Sequence, residues 1–534
     1  MILLALSAII LPLFLLMVLR LPARLGMTIS AVAIILVALM GWQMTPLAVG
    51  ASTLQAIHRA LTIGLILFGA LTLVKTMQET GAMDRIKLGL HSISPDMRVQ
   101  TVVVAFSFIA LLEGISGFGT PAVIAAPLLM VLGFRPIAAA SLALLGDTMA
   151  CTFGAVATPL IVGLENVPIY SENLVSLVGA QVTLFDLIIG PLLSLGLVAL
   201  LIFSFGNQTR HQKFKSLIEI APWALFIGLV HAASAVILVR TIGPEFTSII
   251  AGAISLAVAT VTAKYGWLTP RSIWRHHANP DLATATTTAD VAHMPIWKAW
   301  LPYVAVIGLL LATRLIEPVQ KWLSTTLNAS WHNILGIESI NSTWSILYSP
   351  GFALLIGALV AMTIAKLSPK AALKPVGSAV KSTVIALSAL IPTLIMVQVF
   401  TNSGVNTPGL ASMPLYIAET LSASFNSLWL AVAPLLGATG ALIAGSATVS
   451  TLTMAPVQYS IALESGIPFV MVLAMQMVGA SAGNLLAIHN VVSVSVVVGL
   501  IHRENTIMRR LFVPSLIYLA ITVAIGLGVY WYLN

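Results

Sequence analysis

The run Glu113-Gly114-Ile115-Ser116-Gly117-Phe118-Gly119-Thr120-Pro121 decides how this chain is read. Its glycines each cost a helix about 1 kcal/mol and a proline follows, so a continuous helix through it is disfavoured. Before it stands Val99–Leu112, an apolar stretch of 14 residues, and after it Ala122–Phe134, closed by Arg135. At ~1.5 Å per residue the first stretch reaches about 21 Å, short of the roughly 30 Å hydrocarbon core of a bilayer. Two half-length helices joined by a turn predict a re-entrant hairpin over 99–134, entering from the cytoplasm and turning near mid-membrane.

The rest of the chain calls for that membrane. Of 534 residues 59% are apolar and 8% charged, where soluble proteins carry about 25% charged residues. So little charge cannot cover a water-soluble globule, and so much apolar content excludes disorder. Runs of spanning length lie at 2–19, 26–47, 60–77, 181–205, 220–239, 247–264, 299–317, 350–366, 381–402 and 513–532. Lys and Arg crowd alternate connections, such as Lys75 to Arg98, Arg210 to Lys215, Lys366 to Lys381 and Arg503 to Arg510. The loops 165–180, 318–349 and 403–424 are nearly free of them, with Trp331, Trp344 and Tyr348 as expected interface anchors. Basic loops are cytoplasmic, which puts both termini on the opposite side.

The formal charge of +8 therefore reports topology and gives no support for nucleic-acid binding. The single Cys151 excludes an intrachain disulfide, and no Cys or His spacing suits a structural metal. Ile2–Leu19 lacks a basic start and reads as an uncleaved first helix. The stretch 268–297, with Arg275-His276-His277, reads as a solvated connector rather than a metal site. Asp186 reads as an interface residue near the outer end of its span, and Lys75 as snorkelling to the cytoplasmic surface.

The region 425–501 repeats the plan upside down. Short runs at 427–438 and 452–463 flank Thr439-Gly440 and Gly445-Ser446-Ala447-Thr448-Val449-Ser450-Thr451, predicting a second hairpin over 425–463 that opens to the outside. Broken spans follow both hairpins: 137–164, interrupted at Gly146-Asp147-Thr148, and 467–501, with Gly479 to Asn484 at its centre. The expected fold is an all-α polytopic membrane protein with about 12 transmembrane helices plus two re-entrant helical hairpins. Residues 1–205 and 298–534 form inverted repeats, joined by helices and a linker in 206–297. Discontinuous helices meeting at the midplane of an inverted repeat are the usual plan of secondary transporters.

Interrupted helices present free N–H groups and partial positive charge, which suits a carboxylate. The candidate substrate ligands are Ser116, Gly117, Gly119, Thr120, Thr148, Ser446, Thr448, Ser481, Asn484, His489 and Asn490, with no Lys or Arg among them. Gly114, Gly440, Gly445 and Gly483 add sharp turns or close backbone approach. For any one small residue the competing role is tight helix packing. Glu113, Asp147 and His489 are the candidate proton carriers, because ionisable groups inside a membrane are costly and usually functional. Helix capping competes for the two acids, and a packing role for His489.

Glu113–Pro121, Leu132-Gly133-Phe134-Arg135-Pro136 and Phe153-Gly154-Ala155-Val156-Ala157-Thr158-Pro159 resemble the first signature of the lactate permease family. Gly483-Asn484, Ile488-His489-Asn490-Val491-Val492-Ser493 and Val498-Gly499-Leu500 are similar to its C-terminal signature. Gly445–Ser450 resembles its second hairpin motif, where Asn is common in place of Ala447, and Asp147 stands where many members have Asn. The resemblance implies proton-coupled uptake of L-lactate, D-lactate or glycolate across a bacterial inner membrane. It also implies a moving transport domain, carrying both hairpins and both broken spans, against a scaffold. The partners expected are a small carboxylate, a proton or sodium ion, the bilayer and a second copy in a homodimer, with no cofactor. Sodium coupling is the alternative, since unwound carbonyls with Ser and Thr oxygens suit Na⁺ as well. A channel fits mid-span acids less well, and an enzyme least, because His489 has no obvious Ser or Cys partner and no H-E-x-x-H motif exists.

Overall fold

A backbone in lipid must satisfy its own N–H and C=O groups, and this apolar chain does so almost entirely as helix. The computed structural model describes residues 1–19, 21–117, 119–275, 294–425 and 428–533. Among them there is no strand, only three isolated bridges. The histidine pair at 276–277 lies outside the described residues.

In chain order the helices are α1 Ile2–Leu13, α2 Ala23–Leu36, α3 Pro46–Glu79, α4 Ala82–Ile93, α5 Met97–Gln100, α6 Ile109–Ser116, α7 Thr120–Val131 and α8 Pro136–Gly146. Then follow α9 Thr158–Ile161, α10 Glu172–Leu200, α11 Arg210–Thr241, α12 Thr247–Lys264, α13 Ile296–Leu315, α14 Glu317–Thr325, α15 Pro350–Ile364 and α16 Pro369–Thr401. The last are α17 Met413–Phe425, α18 Trp429–Ala444, α19 Ala447–Glu464, α20 Phe469–Asn484, α21 Ile488–Val497 and α22 Glu504–Leu533. Eight helical stretches are long and apolar enough to cross a membrane, or up to ten if each bent pair is one span. Local chemistry sets several starts. Thr45 and Ser171 accept backbone N–H groups at the heads of α3 and α10, and Thr209 with Gln212 closes a capping box on α11.

These caps start helices well before the apolar runs do. The run at 181–205 is preceded by two and a half turns of helix, so Asp186 falls at the middle of its helix and is 2% exposed. It is not the interface residue expected. Lys75 Nζ donates to the Ser378 and Ser382 hydroxyls of α16, the latter at 3.2 Å, at a partly exposed position.

The packing sorts into two groups. One is built on α3, which packs against α15 and α16, with α2 on α16 and α13 on α15. The other joins α10, α11 and α12 to the interrupted elements: α12 lies on α6, and α10 and α22 on α20.

In the first interrupted element, α5 and α6 are continuous through a π-helical stretch, Thr101–Phe108. Asp96 caps this helix by accepting from Arg98 N, so it runs from Met97 to Ser116, and Met97–Gly114 has the length and hydropathy of a span. The first limb is therefore longer than the 14 apolar residues suggested. Gly117 (φ 58°) and Gly119 (φ 73°) then turn the chain, and α7 packs back along α6 and the π-helical stretch. In the second element the reversal is fixed by side chains. Trp429 Nε1 donates to Gln458 Oε1 at 2.7 Å, Gln458 Nε2 to Ala433 O at 3.0 Å and Ser450 Oγ to Gly437 O at 2.8 Å. Helix continues through Thr439 on one side and from Ala447 on the other, so the turn is narrower than expected and consists of Gly445 and Ser446.

Helix is interrupted within both 137–164 and 467–501. After α8 the chain passes through two 3-10 turns, Ala150–Thr152 and Ala155–Ala157, before α9. Between α20 and α21 it bends by 41° over 485–487. This second break lies beyond the glycines expected to form it. Gly479 and Gly483 instead allow α20 to press on α18: a Cβ added at either would lie 2.1 Å from Pro434 O or 2.0 Å from Ala438 O. Helix packing, the competing role for small residues, holds there.

Candidate functional site

The breaks and turns meet. A Cβ built on Gly119 would lie 2.5 Å from Asn490 Oδ1, and one on Gly445 would lie 1.7 Å from His489 Cε1. The turns of the two hairpins thus press on consecutive residues in the first turn of α21. Gly117 sits against Ala155 in the first break, where an added Cβ would approach the Ala155 Cβ to 3.0 Å. Only glycine combines these positive φ angles with such close approach.

A polar seam joins the pieces. Asn490 Nδ2 donates to Asn484 O and Oδ1, both at 3.1 Å. Asn484 Nδ2 reaches Cys151 Sγ at 3.1 Å, and Thr152 Oγ1 and Ser481 Oγ lie 2.8 Å apart. α21 has no side-chain cap at its N-terminus, so its first N–H groups stay available where the turns meet, whereas α7 opens on Thr120, whose N donates to Gly117 O at 3.1 Å, and on Pro121, which has no N–H. A free end such as that of α21 favours an anion.

Glu113 and Asp147, 2% and 5% exposed, lie against each other with their carboxyls hydrogen-bonded. A carboxyl–carboxyl hydrogen bond requires a proton on one partner. Their other oxygens, Glu113 Oε2 and Asp147 Oδ1, have no partner, and neither has Thr120 Oγ1 in the first turn of α7. Asp147 follows the last residue of α8, and Glu113 lies in the last turns of α6. Both stand at helix C-termini, where the dipole disfavours negative charge. The capping role expected of an acid at a helix N-terminus therefore does not fit either of them in its own helix.

The structure thus brings together Gly117, Gly119, Thr120, Glu113, Asp147, Ser481, Asn484, His489 and Asn490. Other expected ligands have local duties. Ser446 accepts from Val449 N as the cap of α19, Thr148 Oγ1 donates to Leu145 O at 2.7 Å, and Thr448 is half-buried in the first turn of α19. The Ser116 side chain lies outside what the structure describes. Gly114 and Gly440 serve packing, their added Cβ atoms meeting Ile249 N at 2.6 Å and Ser450 Oγ at 2.5 Å. Sequence reasoning missed Cys151, which it weighed only for disulfides, and the chain Trp429–Gln458–Gln476–Ser450. The signal was there, in the buried glutamines Gln458 and Gln476 of two adjacent membrane helices.

Known proteins resemble the chain along its length. The profile of the L-lactate permease family matches residues 1–533. A putative L-lactate permease of Haemophilus influenzae is 31% identical over 502 residues, covering 90% of this chain and 88% of its own. The L-lactate permease of Bacillus subtilis is 27% identical over 92% of this chain and 89% of its own. The glycolate permease GlcA of Escherichia coli is 25% identical over 94% and 91%. A crystal structure of the YdaH transporter of Alcanivorax borkumensis aligns over 88% of this chain and 85% of its own at 16% identity, with a TM-score of 0.29 that carries no argument. With its many apolar helices and its interrupted helices meeting at one place, the chain is a multi-pass membrane protein and belongs to the L-lactate permease family.

Proposed function

We propose that this protein is a proton-coupled symporter of a small 2-hydroxy monocarboxylate, L-lactate first and D-lactate or glycolate besides, in a bacterial inner membrane. The observation that carries it is the hydrogen-bonded Glu113–Asp147 pair beside the meeting point of Gly119, Gly445, His489 and Asn490. The substrate carboxylate rests on the free N–H groups of α21, with the Thr120 hydroxyl and the Asn490 amide in reach. The proton held between the acids offsets the charge of the arriving anion, so that anion and proton enter together. No fixed cation is needed, and a proton rather than sodium is the coupling ion because two adjacent buried carboxyls already require one.

The two hairpins act as re-entrant loops of an inverted repeat, with boundaries at 1–205 and 298–534. The moving body consists of the hairpins and broken helices, and its displacement against a scaffold built on α3, α15 and α16 exposes the site to each side in turn. That α3, α15 and α16 pack chiefly on one another supports this division. A second reading, sodium symport, keeps the same site with Na⁺ on the turn carbonyls.

The test is uptake of labelled L-lactate into proteoliposomes, with pH and sodium gradients imposed separately. Accumulation above equilibrium with an acid-outside gradient and no sodium is expected. Accumulation that follows sodium alone transfers the proposal to the second reading, and equilibration without accumulation identifies a channel.

A further inference from the structure

Asp186 is a third buried acid that the site above does not use. It is the fifteenth residue of α10, and Tyr518 is the fifteenth of α22, so each lies about 21 Å from the start of its helix, deep in the bilayer. They are 2% and 4% exposed. Asp186 Oδ1 and the Tyr518 hydroxyl both lack a hydrogen-bond partner. Leaving such groups unsatisfied away from water costs a few kcal/mol, which a leucine and a phenylalanine there would avoid.

The surroundings leave only a proton to neutralise this acid. Against α10 pack α8, α9, α11, α20, α22 and the π-helical stretch Thr101–Phe108. No Asp, Glu, Lys, Arg or His occurs in α9, α20 or that stretch. The basic residues of α11 and α22 (Arg210, Lys213, Lys215, Arg240, Arg509, Arg510) and the acids Glu219 and Glu504 lie near helix ends. His231 of α11 is turned to Ser255 and Phe106. What remains near Asp186 is Tyr518, then Cys151, then the Glu113–Asp147 pair, each within electrostatic range of the next.

Packing holds this order. On α10, Gly190 lies one turn beyond Asp186, and a Cβ there would sit 3.3 Å from Met149 Sδ, two residues past Asp147. On α22, Ser515 lies nearly one turn before Tyr518 and donates to Ala482 O at 2.9 Å, beside the Ser481 that meets Thr152. α10 and α22 thus both lie against the elements that carry the site.

We propose that Asp186, with Tyr518 beside it, is a second proton-carrying position through which the Glu113–Asp147 pair exchanges its proton with water. The inference rests on the proton-coupled reading above. The protonated Asp186 carboxyl gives its proton to water on that side and takes one from the pair, so Asp186 ends protonated as it began. Tyr518 donates its hydroxyl proton and takes one back, with no net change. Asp186 is a relay and touches no substrate.

The test uses the purified full-length protein in proteoliposomes, with Asp186→Asn, Asp186→Glu and Tyr518→Phe. Two rates are read: lactate uptake driven by an imposed pH gradient, and exchange of labelled against unlabelled lactate at equal pH. Exchange lets the loaded carrier return without giving up its proton, so a relay is dispensable for it. Asp186→Asn is expected to lower driven uptake at least tenfold and to leave exchange within twofold of wild type, with Asp186→Glu restoring uptake. Tyr518→Phe is expected to slow driven uptake severalfold and spare exchange; it carries the same test if Asp186→Asn does not fold. Unchanged driven uptake in Tyr518→Phe and in any folded Asp186→Asn overturns the inference. So does a parallel loss of uptake and exchange, which marks a purely structural role. If wild-type uptake ignores the pH gradient, it is the proton-coupled reading that fails.

Discussion

Replacing Gly445 by Ala is the most direct perturbation of the meeting point. Two costs arise, and the structure separates them. The first is backbone strain: φ is 65°, where a residue with a Cβ loses about 1–2 kcal/mol. The second is steric, because the new Cβ would stand 1.7 Å from His489 Cε1 and 2.0 Å from Nδ1. Ordinary contact begins near 3.4 Å, so the ring or the turn must yield by about 1.7 Å. Misplacing a binding group by ~1 Å costs up to about a hundredfold in rate. Gly466 supplies the control, since its φ is 66° and an added Cβ there meets nothing within 4 Å. Gly466→Ala therefore carries the strain without the clash. In proteoliposomes Gly445→Ala is expected to transport L-lactate 10- to 100-fold less efficiently (kcat/KM) than Gly466→Ala, at similar thermal stability. Equal transport by the two variants would refute the placement of His489 and the second turn at the substrate site.

Four further outcomes follow from the same geometry. Glu113→Gln removes a carboxyl of the proton-sharing pair and should abolish accumulation driven by a pH gradient, whereas Asp147→Asn, whose amide still donates to Glu113, should keep at least a tenth of it; equal loss in both contradicts the assignment. Gly483→Ala drives a methyl into Ala438 O, so a stability loss of about 1–3 kcal/mol is expected, read as a fall of several degrees in Tm. Arg98 is fully buried, paired with Asp96 at 2.7 Å and bonded to Ser216 O and Ser272 O at 2.8 and 2.7 Å; Arg98→Ala should cost about 3–5 kcal/mol by stranding Asp96, and Lys should rescue little of it. Thr401 and Thr453 line one cleft between α16 and the second hairpin, so a bifunctional reagent joining cysteines placed there should stop transport, and full activity after crosslinking counts against a moving hairpin.

The interruptions were legible in the sequence, and their depth along each helix was not. Gly117, Gly119 and Gly445 announce turns because their positive φ angles suit no other residue so well, and the acids beside them stand out against an apolar background. The same glycine signal misled at Gly479 and Gly483, since a residue with no side chain serves close packing as readily as a bend. The actual bend at 485–487 contains only Leu485, Leu486 and Ala487, which carry no local mark of it. Hydropathy also hid the polar first turns of α10 and the Asp96 cap, and with them the true position of Asp186 and the true length of the first hairpin limb. The contact between Glu113 and Asp147 is a product of tertiary packing. The α8 backbone at Gly146 is pressed so closely on Ala105 that an added Cβ would lie 1.6 Å from its carbonyl oxygen, and this approach sets the depth of Asp147 beside the first hairpin.

That closeness also bears on how the site opens. The second hairpin is fastened to α20 by Gln458 Nε2 donating to Gln476 Oε1 at 2.8 Å and Gln476 Nε2 to Ser450 Oγ at 3.2 Å, with Gly437 and Gly479 letting the backbones touch. Peeling the hairpin away like a flap would strand these amides in a membrane interior, at about 1–3 kcal/mol for each buried group left unpaired. Sliding the hairpin, α20 and α21 together against α16 and α17 breaks none of them. It moves instead the cleft lined by Phe400, Thr401, Pro414 and Thr453, whose walls belong to both sides. Under the proposed transport, the less costly motion is thus the one in which the second turn travels with α20 and α21, and so with His489 and Asn490.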